Sequence, residues 1–129
     1  MKLPYPVPEI PVDDIHAAAK AYHEQLGFTI DWIYEDFLAG ISKDDARIFL
    51  RQRTPEEIEQ RSTPCGVTIW LNMDSAAEVD ELYAAWKERG VAMAKDLHTA
   101  TYNLREFTAE DLDGNKFRVF HDLSGDADA

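Results

Sequence analysis

Four histidines, one cysteine and 25 acidic residues are the side chains in this 129-residue chain that could hold a metal or move a proton. Their spacing argues against a local cluster. His16 and His23 fall on one helical segment seven residues apart, and two turns of helix, about 10 Å, are too far for a shared ion. His98 lies at a strand end or in a loop. His121 alternates with Val119 and Phe117, which predicts a buried, hydrogen-bonded ring on the helix-covered face of a strand. Cys65 stands between Pro64 and Gly66 with no histidine nearby, so nothing supplies the positive partner an activated thiolate needs. A single cysteine also rules out thiolate zinc sites and an internal disulfide. The chain contains no GxxxxGK[ST], GxGxxG or GxSxG sequence, so phosphate cradles, dinucleotide sites and serine elbows have no support. Any metal would have to be assembled from distant strands.

The charge balance narrows the partners. With 13 basic residues against 25 acidic ones the formal net charge is −12, which repels phosphate backbones and excludes nucleic acid as the expected partner. The acidity fits either a solvated surface or a groove that attracts a cationic small molecule. No apolar run reaches the length of a membrane helix. The opening residues 1–6 lack the apolar core of a signal peptide, and a cytoplasmic, non-membrane protein is expected.

The elements that must position these side chains repeat. Residues 7–12, edged by Pro6, Pro8 and Pro11, suit a short edge strand. Asp13 and Asp14 offer an N-cap to a helix whose buried stripe is Ile15, Ala18, Ala19, Tyr22 and Leu26, closed by Gly27. Strands are expected at 28–34, 37–41 and 46–51, with a turn at 42–45. Residues 54–65, polar and proline-edged, read as a linker. The order then recurs. A strand at 67–73 precedes a helix with a Ser75/Glu78 capping box and a Val79, Leu82, Tyr83, Trp86 stripe, closed by Gly90. Strands at 91–97, 104–110 and 116–122 follow, the last pair joined by an Asp113-Gly114 turn. The expectation is α+β: one domain over 1–129, made of two tandem βαβββ modules, about 7–53 and 66–123, with a flexible tail at 124–129. Helices on one face would leave a cupped, mixed eight-stranded sheet whose other face receives a ligand.

Four segments resemble those of the glyoxalase/bleomycin resistance protein/dioxygenase (vicinal oxygen chelate) superfamily. The segment from Leu26-Gly27-Phe28 through Asp36-Phe37-Leu38-Ala39-Gly40 is similar to the LGF…DF…DDFAG region of its bleomycin-resistance branch. Residues 79–86 resemble that branch's LDELYAEW helix. Arg105-Glu106-Phe107 with Asp111-Leu112-Asp113-Gly114-Asn115 resembles its REF…DPDGN signature, and residues 8–14 its P-x-L-P-V-x-D opening. Together they span about residues 7–122. The resemblance implies the vicinal oxygen chelate fold and a cytoplasmic homodimer whose arms exchange about a hinge at Pro8. It implies a drug, such as an aromatic glycopeptide antibiotic, held and sequestered in interface grooves. It points to Trp32 and Phe37 as stacking aromatics, Asp31, Glu35 and Asp36 as acidic neighbours, and Trp70 on the fifth strand. Tyr102 stands near a tryptophan of the branch's PWG, which Tyr102-Asn103-Leu104 replaces here.

Metal-dependent relatives take one ligand each from the first, fourth, fifth and eighth strands. Those positions fall here on Val7, Phe49, Thr68 and Arg118, a set that cannot ligate a divalent cation. The implied protein needs no metal or other cofactor and has no catalytic residues. The alternative is a metal-dependent glyoxalase- or dioxygenase-like lyase or isomerase with non-standard ligands such as His98, His121 or Glu106. Arg47, Arg51 and Arg118 share the face of Phe49 by alternation, so Phe49, Arg51 and Arg118 join the candidate ligand-binding set. Arginines there would favour an anionic or carboxylate-bearing guest over a cationic one.

Overall fold

The computed structural model describes residues 1–61 and 66–126; Cys65 lies outside them. Two compact units divide the chain, Met1–Gly66 and Val67–Ala129.

In the first unit, strand β1 (Glu9–Val12) leads into helix α1 (Ile15–Glu24), and strands β2 (Thr29–Tyr34), β3 (Leu38–Lys43) and β4 (Ala46–Gln52) follow. Asp14 caps α1, accepting from the backbone N–H groups of His16 and Ala17. The helix ends slightly before the expected Gly27, at a Gln25 cap, and Gly27 takes a left-handed φ of 81° just beyond. The sheet order is β1-β4-β3-β2, with β1 parallel to β4 and the rest antiparallel. The apolar stripe of α1 is buried with Ile10, Val12, Ala39, Ile41, Ile48 and Leu50 of the sheet.

The second unit repeats the order: β5 (Thr68–Asn72), α3 (Ala76–Glu88), β6 (Ala92–Thr99), β7 (Leu104–Glu110) and β8 (Lys116–Asp122). Its sheet runs β5-β8-β7-β6, again with one parallel pair, β5 with β8. Trp86 of α3 packs edge-on against Phe107 and Phe117, and Val79, Phe107, Ala109, Phe117 and Val119 are buried. Gly90 stands directly after the Arg89 cap with φ 84°. The architecture is the expected α+β pair of βαβββ modules, its eight strands paired as two four-stranded sheets.

Three local expectations change. The described part of the segment expected as a linker contains a helix: Pro55–Gln60 form α2, within the first unit. Thr54 caps it through the Glu57 N–H, and the Glu57 carboxylate accepts from the Thr54 N–H, a complete capping box with proline in the first turn. At α3 only half of the expected box forms. Ser75 Oγ accepts from the Glu78 N–H, but the Glu78 carboxylate accepts from the N–H of Asp74. Of the segment expected as a flexible tail, Ser124 and Gly125 belong to a 3₁₀ turn (Leu123–Gly125), and the adjacent Asp126 meets His121 at 2.6 Å. No helix of the described residues is long and apolar enough to cross a membrane.

Candidate functional site

Each sheet packs its helix on one face; of the candidate residues the strand-borne ones, Asp31, Trp32, Phe49, Arg51, Trp70 and Arg118, lie on the other, and Glu35, Asp36, Phe37 and Tyr102 lie in turns. In the first unit a β-bulge between Ile30 and Trp32 breaks the alternation of β2. Two consecutive residues, Asp31 and Trp32, therefore address the face turned away from α1. Asp31 accepts a hydrogen bond from Ser42 Oγ at 3.1 Å. Trp32 lies across the backbone of its partner Gly40, where an added Cβ would overlap the indole. Its ring meets Phe49 edge-on, centroids 5.3 Å apart. The indole is thus fixed from two sides and remains 39% exposed. Phe37 is exposed at the end of the β2–β3 turn. Glu35, with a left-handed φ of 50°, is exposed in that turn. Asp36 reaches back to His16 Nε2 at 2.7 Å. Pro8 precedes β1, and its carbonyl accepts from the Phe49 N–H.

Arg51 does not offer the free charge expected of it. Its guanidinium donates to both Glu57 oxygens at 3.0 Å and to Glu9 at 3.1 Å. The Glu57 carboxyl is held down at about 2, chiefly by Arg51 and then by the Thr54 N–H. Helix α2 carries that carboxylate. Asp13 is bonded similarly by Arg53 and Arg61; burial pushes its pKa up, and the two guanidinium groups bring it below its ordinary value.

In the second unit the corresponding face carries a buried ion pair. Glu106 of β7 is 1% exposed and accepts from Arg118 Nε of β8 at 2.8 Å. Its second oxygen accepts from the Tyr102 hydroxyl, which itself accepts from Arg118 Nη2 at 2.5 Å. The Arg118 guanidinium stacks over the Trp70 ring, 4.3 Å from its centroid, and Phe120 meets the same indole edge-on. Trp70 and Tyr102 stay 52% and 55% exposed. Among the described residues Arg118 Nη1 has no hydrogen-bond partner.

The protons are displaced away from neutrality. Burial pushes the Glu106 carboxyl up, but hydrogen bonds from Arg118 and Tyr102 and the Arg118 charge bring it below its ordinary value. The bond to Glu106 pushes the Tyr102 phenol up, and the same carboxylate raises Arg118. The three therefore stay carboxylate, phenol and guanidinium, whereas a general acid or base needs a pKa near the working pH. His98 belongs to β6 and pairs with Glu106 in the ladder. Its Nδ1 faces the Asp96 carbonyl at 2.8 Å and its Nε2 the Glu106 carboxylate at 3.2 Å. Both ring nitrogens thus face acceptors of the protein itself. His121 lies elsewhere, as expected on the α3 side, between the Met73 carbonyl and Asp126, whose bond raises its pKa.

The structure thus joins Trp32 with Phe49, Asp31 with Ser42, Tyr102 and Arg118 around Glu106, and Trp70 under Arg118. Of the three non-standard ligands considered, His98 and Glu106 meet and His121 does not. Among the described residues no three of His, Cys, Asp and Glu converge as a metal would require. At the family's ligand positions Phe49 packs on Trp32, and Arg118 brings a fixed positive charge already engaged by Glu106; these residues do not fit a divalent ion. Sequence reasoning missed Glu9 and Glu57 as counter-ions and Gly40 as the bed of Trp32. The Thr54-Pro55-Glu56-Glu57 sequence was the signal for the helix that carries Glu57, and a glycine inside a strand was the signal for close approach at Gly40.

The family model described as "Glyoxalase/Bleomycin resistance protein/Dioxygenase superfamily" matches residues 5–119. No curated protein sequence matches the chain. Among solved structures, a glyoxalase/bleomycin resistance protein/dioxygenase from Nocardioides superposes with TM-score 0.78 at 16% identity, covering 98% of this chain and 88% of that one. A bleomycin-binding protein from Streptomyces verticillus, complexed with copper(II)-bleomycin, gives 0.70 at 20% identity over 92% and 96% of the two chains. TnmS3, an antibiotic binding protein from Streptomyces sp. CB03234, gives 0.70 at 21% identity over 95% and 98%. At these identities the likeness is one of fold.

Proposed function

The chain belongs to the glyoxalase/bleomycin resistance protein/dioxygenase superfamily, and from that premise we propose that it binds a small aromatic molecule reversibly, sequestering it without metal catalysis. The observation that carries this reading is a pair of indoles held rigidly yet left open. Trp32 is bedded on Gly40 and braced by Phe49, while Trp70 lies under Arg118 and against Phe120. A pre-positioned ring loses little conformational entropy when a flat ligand stacks on it. The outward proton shifts at Glu106 and Tyr102 support recognition over proton transfer.

Around Trp32 the neighbours are acidic. Asp31, Glu35 and Asp36 lie nearby in sequence and Arg51 is neutralised by Glu9 and Glu57, so a cationic aromatic compound of the bleomycin kind suits the first unit. The working form in this reading is a single-domain, cytoplasmic homodimer with ligand grooves at its interface. The arm before Pro8, which exposes Leu3 and Tyr5, would cross to the second copy. Titrating the protein with bleomycin tests the narrow form of the reading: saturable quenching of tryptophan emission at micromolar drug is expected, lost in Trp32→Phe. No quenching would remove bleomycin as the guest.

The enzymatic alternative draws support from the His98–Glu106 contact alone. A cation there would have to displace Arg118 from Glu106. Elemental analysis showing close to one metal per chain would overturn the binding-only reading.

A further inference from the structure

The two aromatic faces differ in charge, and the second unit therefore carries its own ligand preference. We infer that Trp70, Arg118 and Tyr102 form a subsite for the neutral, flat, conjugated part of a ligand, one that presents a carbonyl or ring-nitrogen acceptor on its edge. The inference rests on the small-molecule-binding reading above and names the ligand class of one of its sites.

The argument begins with the guanidinium. Arg118 spends Nε on Glu106 and Nη2 on Tyr102. The Nη1 group keeps both of its N–H donors, since no described residue accepts from it, and the side chain is 28% exposed. A planar donor pair beside a half-exposed indole and a half-exposed phenol asks for a flat acceptor. Such a ligand sets its acceptor on Nη1 and its ring against the open parts of Trp70 and Tyr102.

Charge then selects among acceptors. A carboxylate would gain a charge-assisted bond at Nη1, but Glu106 already neutralises the guanidinium and lies one hydrogen bond behind it. The incoming anion would meet a like charge across the same small group, in a chain of formal net charge −12. A cation fails for the opposite reason, because the Arg118 guanidinium lies over the Trp70 ring and Glu106 is buried behind it. A neutral acceptor takes the donors and meets neither penalty. This reverses the preference for anions that unpaired arginines would have conferred.

The test uses matched naphthalene probes on the full chain by titration calorimetry: neutral 2-acetylnaphthalene, anionic 2-naphthoate, cationic 2-naphthylmethylammonium, and naphthalene without an acceptor. We expect 2-acetylnaphthalene to bind at least tenfold more tightly than each of the others. That binding should disappear in Trp70→Phe and persist in Trp32→Phe. Glu106→Gln keeps the shape of the cluster and removes its charge, so the variant should gain at least tenfold for 2-naphthoate, its near-ultraviolet dichroism reporting that the fold is kept. Equal or tighter binding of 2-naphthoate by the unaltered protein, or a ranking indifferent to Trp70, would overturn the inference. If bleomycin quenches Trp32 while no naphthalene binds at Trp70, the subsite falls and the binding function stands. If neither ligand binds, both fall.

Discussion

The two sheets share one strand order and pairing pattern and are filled with opposite chemistry. Across the first, the row reads Glu9, Phe49, Gly40, Trp32; across the second, the topologically equivalent row reads Trp70, Arg118, Thr108, Lys95. The next row on the same face, two residues along each strand and three along the irregular β6, reads Pro11, Arg51, Leu38 and Tyr34 in the first unit, and Asn72, Phe120, Glu106 and His98 in the second. The first face pairs Arg51 of the inner strand β4 with Glu9 and Glu57, and lays the Trp32 ring of the edge strand β2 over a glycine beside Phe49. The second buries a carboxylate at its centre and lays the answering guanidinium over an indole. A duplicated backbone thus supplies two shelves, and side-chain choice alone makes one hydrophobic and acid-rimmed, the other polar and internally neutral.

The comparison can be broken most severely at Glu106. In Glu106→Ala the guanidinium of Arg118 loses its counter-ion inside a partly buried cluster. Breaking such a pair costs about 3 kcal/mol after allowance for the exposure of Arg118, read as a lower denaturation midpoint at unchanged slope. The same alanine at Glu9, on the margin of the first face, should cost under about 1 kcal/mol.

At the first face the sensitive point is Gly40. In Gly40→Val the new side chain occupies the space of the Trp32 indole, and overpacking of this kind costs about 2 kcal/mol. The displaced indole should show red-shifted emission, and quenching by bleomycin should vanish. Valine at the equivalent Thr108 has no indole to displace, and its effect on stability should be smaller.

The smallest effect concerns α2. Thr54→Ala removes the cap that orients Glu57, for about 1 kcal/mol. Because the folded state holds Glu57 at about 2 against an ordinary 4.5, its contribution is present above pH 4.5 and lost as the pH falls towards 2. The stability difference between Glu57→Gln and the unaltered protein should therefore shrink through that window.

Much of this was legible from the chain. Period and punctuation placed α1, α3 and all eight strands, because buried stripes and turn residues are local signals, whereas the short α2, with no buried stripe, was expected as linker. The exposed aromatics were also legible as candidates, since Trp32, Phe37, Trp70 and Tyr102 stand in recognisable segments. What alternation could not supply was the bulge at Asp31, which puts two neighbours on one face. Nor could it supply the partner of each arginine, for Arg118 finds Glu106 across a hairpin and Arg51 finds Glu57 through a six-residue helix. Ion pairing is a tertiary choice, and it changed the expected guest of the second face from an anion to a neutral ring.

The central claim is reversible capture without conversion, and equilibrium dialysis against bleomycin and 2-acetylnaphthalene, with mass spectrometry of the recovered compounds, tests it most directly. The account predicts saturable binding of at least one of them, with every recovered molecule at its starting mass. A product of altered mass accumulating beyond one equivalent per chain, or no retention of either compound, would contradict it.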